Sequence, residues 1–110
     1  MVTATCTLLS GGGTTVSLVS SYSTGSSGTY ATRTLISGAN QLNYNLYYDA
    51  GYTQIRGTGT GGSTTGSASL TLTSAQPTGQ AQGTIYGRIP ASQDVAPGSY
   101  LDTIVVTVTY

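Results

Sequence analysis

The chain has 110 residues, of which 37% are apolar and 5% charged, with a formal net charge of zero. That length allows one domain, 1–110, with a single core. The lack of any basic excess argues against attraction to nucleic acid or to an anionic membrane surface. Lysine, glutamate and histidine are absent, which excludes Ser–His–Asp and Cys–His catalysis, Schiff-base chemistry and a Ser–Lys dyad.

Thr, Val and Tyr favour a pleated, half-buried surface, Gly and Ser punctuate turns, and good helix formers are scarce. The class is therefore all-β. Val2, Ala4, Cys6 and Leu8 alternate with Thr3, Thr5 and Thr7, the period of a half-buried strand. Gly11-Gly12-Gly13 interrupts it, and Thr14 to Val19 reads as the second arm of a hairpin. Ser20 to Gly28 is a Ser/Gly loop, Thr29 to Ile36 is extended, and Ser37 to Asn40 is a turn.

Leu42, Tyr44 and Leu46 form an apolar stripe, and Gln54 to Arg56 is a short strand. Gly57 to Gly66 reads as an exposed, mobile loop. Ala68, Leu70 and Leu72 mark another strand, Pro77 to Gly79 a turn, and Gln82 to Ile89 a strand ending at Pro90. After Ala96-Pro97-Gly98, the strand Tyr100 to Tyr110 puts Ile104, Val106, Val108 and Tyr110 on one face. Several short strands with this spacing point to a sandwich or barrel. No internal repeat emerges, and no apolar run reaches the roughly 20 residues of a spanning helix.

Candidate chemistry is sparse. Asp94 and Asp102 are the pair that would have to serve a glycosidase, yet one reads as a turn residue and the other as the start of a strand. Three scattered aspartates make a poor metal site, so neither metal nor cofactor is expected. The glycines of Gly57–Gly62 lack the lysine and helix of a phosphate loop. Cys6, the only cysteine, has no base to activate it and no disulfide partner within the chain. Tyr44, Tyr47, Tyr48 and Tyr52 form a candidate sugar-stacking platform, with the alternative that they divide between core and surface.

Two stretches carry a family resemblance. One is Arg33-Thr34-Leu35, then Leu42-Asn43-Tyr44-Asn45-Leu46-Tyr47-Tyr48-Asp49. The other is Tyr86-Gly87-Arg88-Ile89-Pro90, then Gln93 through Pro97-Gly98-Ser99-Tyr100-Leu101-Asp102 into the closing apolar strand. In this order they resemble the spore coat protein U domain, the pilin domain of archaic chaperone–usher pili. The resemblance implies an incomplete immunoglobulin-like Greek-key sandwich completed by a donor strand from another subunit. A periplasmic chaperone and an outer-membrane usher would act during assembly, and the product would be a cell-surface fibre serving attachment or biofilm formation. It further implies a polymerisation groove bordered by Ile104, Val106, Val108 and Tyr110. Compared with the family, the chain is expected to be N-terminally incomplete, lacking the donor segment and the cysteine that pairs with the equivalent of Cys6. The competing expectation is a monomeric cell-surface adhesin or carbohydrate-binding module built on the tyrosines.

Overall fold

The computed structural model describes residues 2–7 and 12–110, with Val2 described for its backbone alone. Leu8 and Gly11, expected to close the first strand and open the glycine turn, lie outside the described residues. Among the described residues ten strands follow in order: β1 (Val2–Thr7), β2 (Thr14–Tyr22), β3 (Arg33–Ser37), β4 (Asn40–Tyr47), β5 (Ile55–Arg56), β6 (Ser63–Thr64), β7 (Gly66–Leu72), β8 (Thr78–Gly83), β9 (Tyr86–Arg88) and β10 (Val106–Thr109). A 3-10 turn, Gly25–Ser27, interrupts the segment after β2. The molecule is all-β and arranged as an immunoglobulin-like sandwich of antiparallel sheets.

The alternation seen in the sequence decides which way the strands face. In β1, Thr3, Thr5 and Thr7 are exposed while Ala4 and Cys6 are half-buried; in β10, Val106 and Val108 turn inward and Thr107 and Thr109 outward. Strand β2 carries Leu18 and Tyr22 as buried residues on one face. The β3–β4 hairpin closes with a two-residue loop, Ser37 pairing with Asn40. Its Gly38 adopts φ 60°, as the first central position of a type II′ turn requires.

Three sheets result. One has the order β10-β2-β7, one pairs β1 with β8, and the third is built on β3 and β4, with β5 and β9 both pairing β4 and β6 parallel to β5. The expected β1–β2 hairpin does not form: β1 pairs with β8, whereas β2 lies between β7 and β10. A glycine turn permits a hairpin without requiring one. Placing the two strands in different sheets lets both apolar faces look into the same interior.

The expected strand from Gln82 to Ile89 is divided between two sheets. Strand β8 ends at Gly83 on β1, and β9 resumes at Tyr86 on β4. The intervening Thr84 carbonyl accepts a hydrogen bond from Arg56 Nη2 at 3.1 Å. The turn before β8 also falls earlier than expected, with Thr73 and Gln76 exchanging main-chain and side-chain bonds at 3.0 Å.

The closing segment is likewise shorter as a strand than its pattern suggests. Leu101 exchanges two main-chain hydrogen bonds with Ile36 of β3, at 2.7 and 3.0 Å. Asp102 and Thr103 then turn away, the Val105 carbonyl accepts from Ser23 N at 3.0 Å, and only Val106–Thr109 joins β2. This segment therefore crosses from one sheet to another, the way sandwich strands make corners.

The Gly57–Gly66 segment is more ordered than its composition suggests. It contains β6, and Gly57, Ser63 and Gly66 are buried. Ser63 Oγ accepts from the amides of Thr58 and Gly59 at 3.1 and 3.2 Å and donates to the Thr60 carbonyl at 2.5 Å. One hydroxyl thus engages three backbone groups of the loop, one of which, the Thr60 carbonyl, also accepts from Ser63 N at 3.0 Å.

The interior has an unusual make-up. Among the described residues the buried apolar side chains are Leu18, Tyr22, Tyr44 and Leu72, and the buried polar ones are Arg33, Asn45, Arg56 and Ser63. The radius of gyration is 17.3 Å and the longest axis 57 Å, against about 13 Å expected for the radius of a closed domain of this length. The sheets enclose a thin core and leave space between them.

A Cβ added at Gly57 would lie 2.3 Å from Cβ and Oγ of Ser63, whereas one at Gly12 meets nothing within 4 Å. Gly57→Ala is therefore expected to lose about 1–3 kcal/mol of stability through overpacking. Gly12→Ala should change it by no more than about 0.5 kcal/mol. Chemical denaturation of the two variants against the parent chain checks both.

Candidate functional site

Most of the motif residues lie apart from the space between the sheets, although Tyr48 and Tyr86 line it. At the centre of the motif residues lies Arg33, which is 0% exposed. Its Nη1 donates to Asn45 Oδ1 at 2.7 Å, Nε and Nη2 to the Ser23 carbonyl at 3.2 and 2.7 Å, and Nη2 also to the Arg56 carbonyl at 2.7 Å. Tyr30 places its ring 5.3 Å from the guanidinium carbon. Asn45 in turn donates to the carbonyls of Tyr30 and Ala31 and accepts from Leu46 N. Burial pulls the Arg33 guanidinium below its usual pKa, and Tyr44, Tyr30 and Asp102 oppose the shift.

Asp102 forms the other end of this cluster. Its Oδ2 accepts from the Tyr44 hydroxyl, and its Oδ1 accepts at 2.8 Å from both the amide and the hydroxyl of Ser26 and at 2.9 Å from Thr103 N. Burial pushes the carboxyl up, but these donors together outweigh it and hold the pKa below the usual carboxylate value. Burial and the Asp102 hydrogen bond raise the Tyr44 phenol well above its ordinary value. One carboxylate thus fastens the C-terminal segment to the 3-10 turn and to β4.

The remaining motif residues also hold the architecture. Leu46 and Tyr47 pair with Gly87 and Tyr86, and Asp49 caps its own turn through Thr53 and Gln54. Gln93 donates to the Pro90 carbonyl at 2.9 Å and uses both ends of its amide on Asn43, accepting from N at 2.7 Å and donating to O at 2.9 Å. It behaves as a one-residue strand partner. Tyr100 donates to the Ala96 carbonyl, and a Cβ on Gly98 would come within 2.9 Å of Ser37 Oγ.

The candidate site is a groove of about 250 Å³. Its walls come from Ala4 of β1 and Ala81 of β8 on one side and Leu18, Tyr22, Ala68 and Val108 of β2, β7 and β10 on the other. Of the four residues expected to border it, Val108 is in its lining, Ile104 and Val106 are half-buried, and Tyr110 stands 90% exposed beyond the end of β10. Among the described residues β10 pairs only with β2, so its outer edge is open. Arg56, Leu18, Tyr22 and the small residues of the groove were not singled out from sequence. The only available signals were Arg56's rarity as one of three arginines and the Leu18-Ser20-Tyr22 alternation.

The tyrosine platform is dispersed. Tyr44 is buried on Asp102, Tyr48 stacks on Arg56 with 4.3 Å between ring centroid and guanidinium carbon, and Tyr47 meets Tyr52 edge-on at 5.4 Å beside Arg88. Cys6 is a half-buried free thiol. Among the described residues no helix is long and apolar enough to cross a membrane.

The carboxylate at Asp102 makes stability depend on pH. Because its folded pKa lies below the unfolded value, its contribution is complete above the unfolded carboxylate pKa and is lost as pH falls through the folded one. Asp49, also held low by Thr53 and Gln54, acts in the same direction. Asp102→Asn should therefore reduce, without abolishing, the loss of stability below about pH 4 and should cost about 1 kcal/mol at neutral pH. Denaturation curves collected across the acid range check both effects.

Among curated proteins none matches the chain. The family model described as Spore Coat Protein U domain matches residues 1–107, nearly the whole length and including every motif residue that builds the Arg33 and Asp102 clusters. The chain belongs to the Spore Coat Protein U domain family.

Proposed function

We propose that the chain is a structural subunit of a pilin-type extracellular fibre, assembled by accepting a β-strand from another subunit. The observation that carries this reading is the open edge of β10, whose Val108 lines a groove shared with Ala4, Leu18, Ala68 and Ala81 and with polar residues such as Ser20, Gln82 and Arg56. An unpaired edge offers main-chain donors and acceptors to an incoming strand, and the alternate pockets beside it select the register. Membership of a family consistent with fimbrial subunits supports it, as does the thin, extended core.

Strand donation of this kind is a heterologous contact. Repeated head to tail it builds a filament rather than a closed ring. In this reading the subunit is exported, a periplasmic chaperone covers the groove in transit, and an outer-membrane usher exchanges it for the strand of a neighbour. The finished fibre stands on the cell surface and serves attachment. The adhesin alternative is less well supported, because the tyrosines it relies on face three different surroundings.

The test uses synthetic peptides of about ten residues, alternating valine and threonine, added to the purified chain. At 100 times the dissociation constant a bound peptide contributes about 2.7 kcal/mol, equivalent to a rise in Tm of about 10 °C or more. Val106→Asp with Val108→Asp should abolish the rise, while outward-facing Thr107→Asp should leave it. A stable monomer unaffected by any strand peptide, together with no filaments by electron microscopy of expressing cells, would overturn the reading.

A further inference from the structure

We propose that the strand entering this groove carries an acidic side chain that docks on Arg56. This rests on the strand-acceptor reading above and specifies the chemistry of the partner. Arg56 lines the groove and is 4% exposed. A guanidinium presents five N–H donors, yet among the described residues this one makes a single hydrogen bond, from Nη2 to the Thr84 carbonyl at 3.1 Å. Its Nε is buried without an acceptor.

The contrast with Arg33 is instructive. That guanidinium is equally buried and makes four hydrogen bonds, so this fold can saturate a buried arginine. At Arg56 the surroundings are of another kind. The Tyr22 and Tyr48 rings lie 5.2 and 4.3 Å from its central carbon, and the Gly66 backbone is so near that an added Cβ would fall 2.1 Å from Nη1. Aromatic faces stabilise the charge but accept none of its in-plane N–H bonds.

Among the described residues no carboxylate hydrogen-bonds to Arg56. Asp49 is held by Thr53 and Gln54, Asp102 by Tyr44, Ser26 and Thr103, and Asp94 is exposed. A buried cation without an anion is an expensive state that an arriving carboxylate relieves, and the planar fork matches a carboxylate in two-point contact. Gly66, Ala68, Ala81 and Gly83 are among the residues lining the groove with Arg56, and their small size leaves room for that side chain. Strand addition would then combine a general part, the main-chain ladder along β10, with a selective part at Arg56.

The peptides used above provide the probe. At each inward position in turn, valine is replaced by Asp, Asn, Leu or Lys, and affinity for the chain is measured by calorimetry. At one position Asp should bind at least about 10-fold tighter than Leu and Asn, with Lys weakest, and Arg56→Met should reverse the order of Asp and Leu. Peptides that bind with Leu or Asn as tight as Asp at every position would overturn the proposal while leaving strand acceptance intact. Failure of every peptide to bind would overturn strand acceptance as well. If Arg56→Met does not fold, the panel on the parent chain decides alone.

Discussion

The fold depends first on a fully buried arginine. Arg33 reaches from β3 to the amide of Asn45 on β4, to the Ser23 carbonyl just past β2, and to the Arg56 carbonyl of β5. Elements far apart in sequence thereby share one rigid fork. Main-chain carbonyls in a crossing region cannot all join ladders, and each left bare in the interior would be costly. A guanidinium with five donors in a plane collects several at once, which a lysine cannot do. With few large apolar residues available, polar pinning of this kind replaces part of the work of a hydrophobic core.

The surroundings of the two buried arginines therefore differ in character. Around Arg33, Asn45, Tyr44 and Asp102 the polar groups satisfy one another, and the C-terminal segment is fastened by a carboxylate holding Ser26, Thr103 and Tyr44. Around Arg56 the same kind of residue is left with one hydrogen-bond partner, facing a space lined by small residues, by Tyr22, Tyr48 and Tyr86, and by Val108 of β10. Satisfied networks specify a unique arrangement, and unsatisfied ones mark places where something else belongs. Under the proposed strand acceptance the division would be useful, because the Asp102 cluster fastens the segment leading into β10 while the outer edge of β10 stays open.

The glycine-rich segment from Gly57 to Gly66 illustrates how composition misleads. Its sequence has the look of an exposed loop, yet Ser63 organises it through three hydrogen bonds and packs it against Gly57. Glycine served here for close approach and for the positive φ of Gly59, Gly61 and Gly62, not for freedom. The tyrosines teach the reverse lesson. Four of them close in sequence suggested one surface, but strand alternation and a turn sent Tyr44 into the interior and Tyr48 onto a guanidinium.

By itself the sequence determined the all-β class, most strand positions, the in-and-out faces of β1 and β10, and the family. All of these follow from residue alternation and short ordered motifs, which are local. Tertiary structure alone decided that β1 pairs with β8 rather than β2, that the segments around Thr84 and Asp102 cross between sheets, and that Arg56 borders the groove. Those outcomes turn on which buried carbonyls and which apolar faces find partners across the sandwich. Such partners lie tens of residues away, and no pattern within a single strand records them.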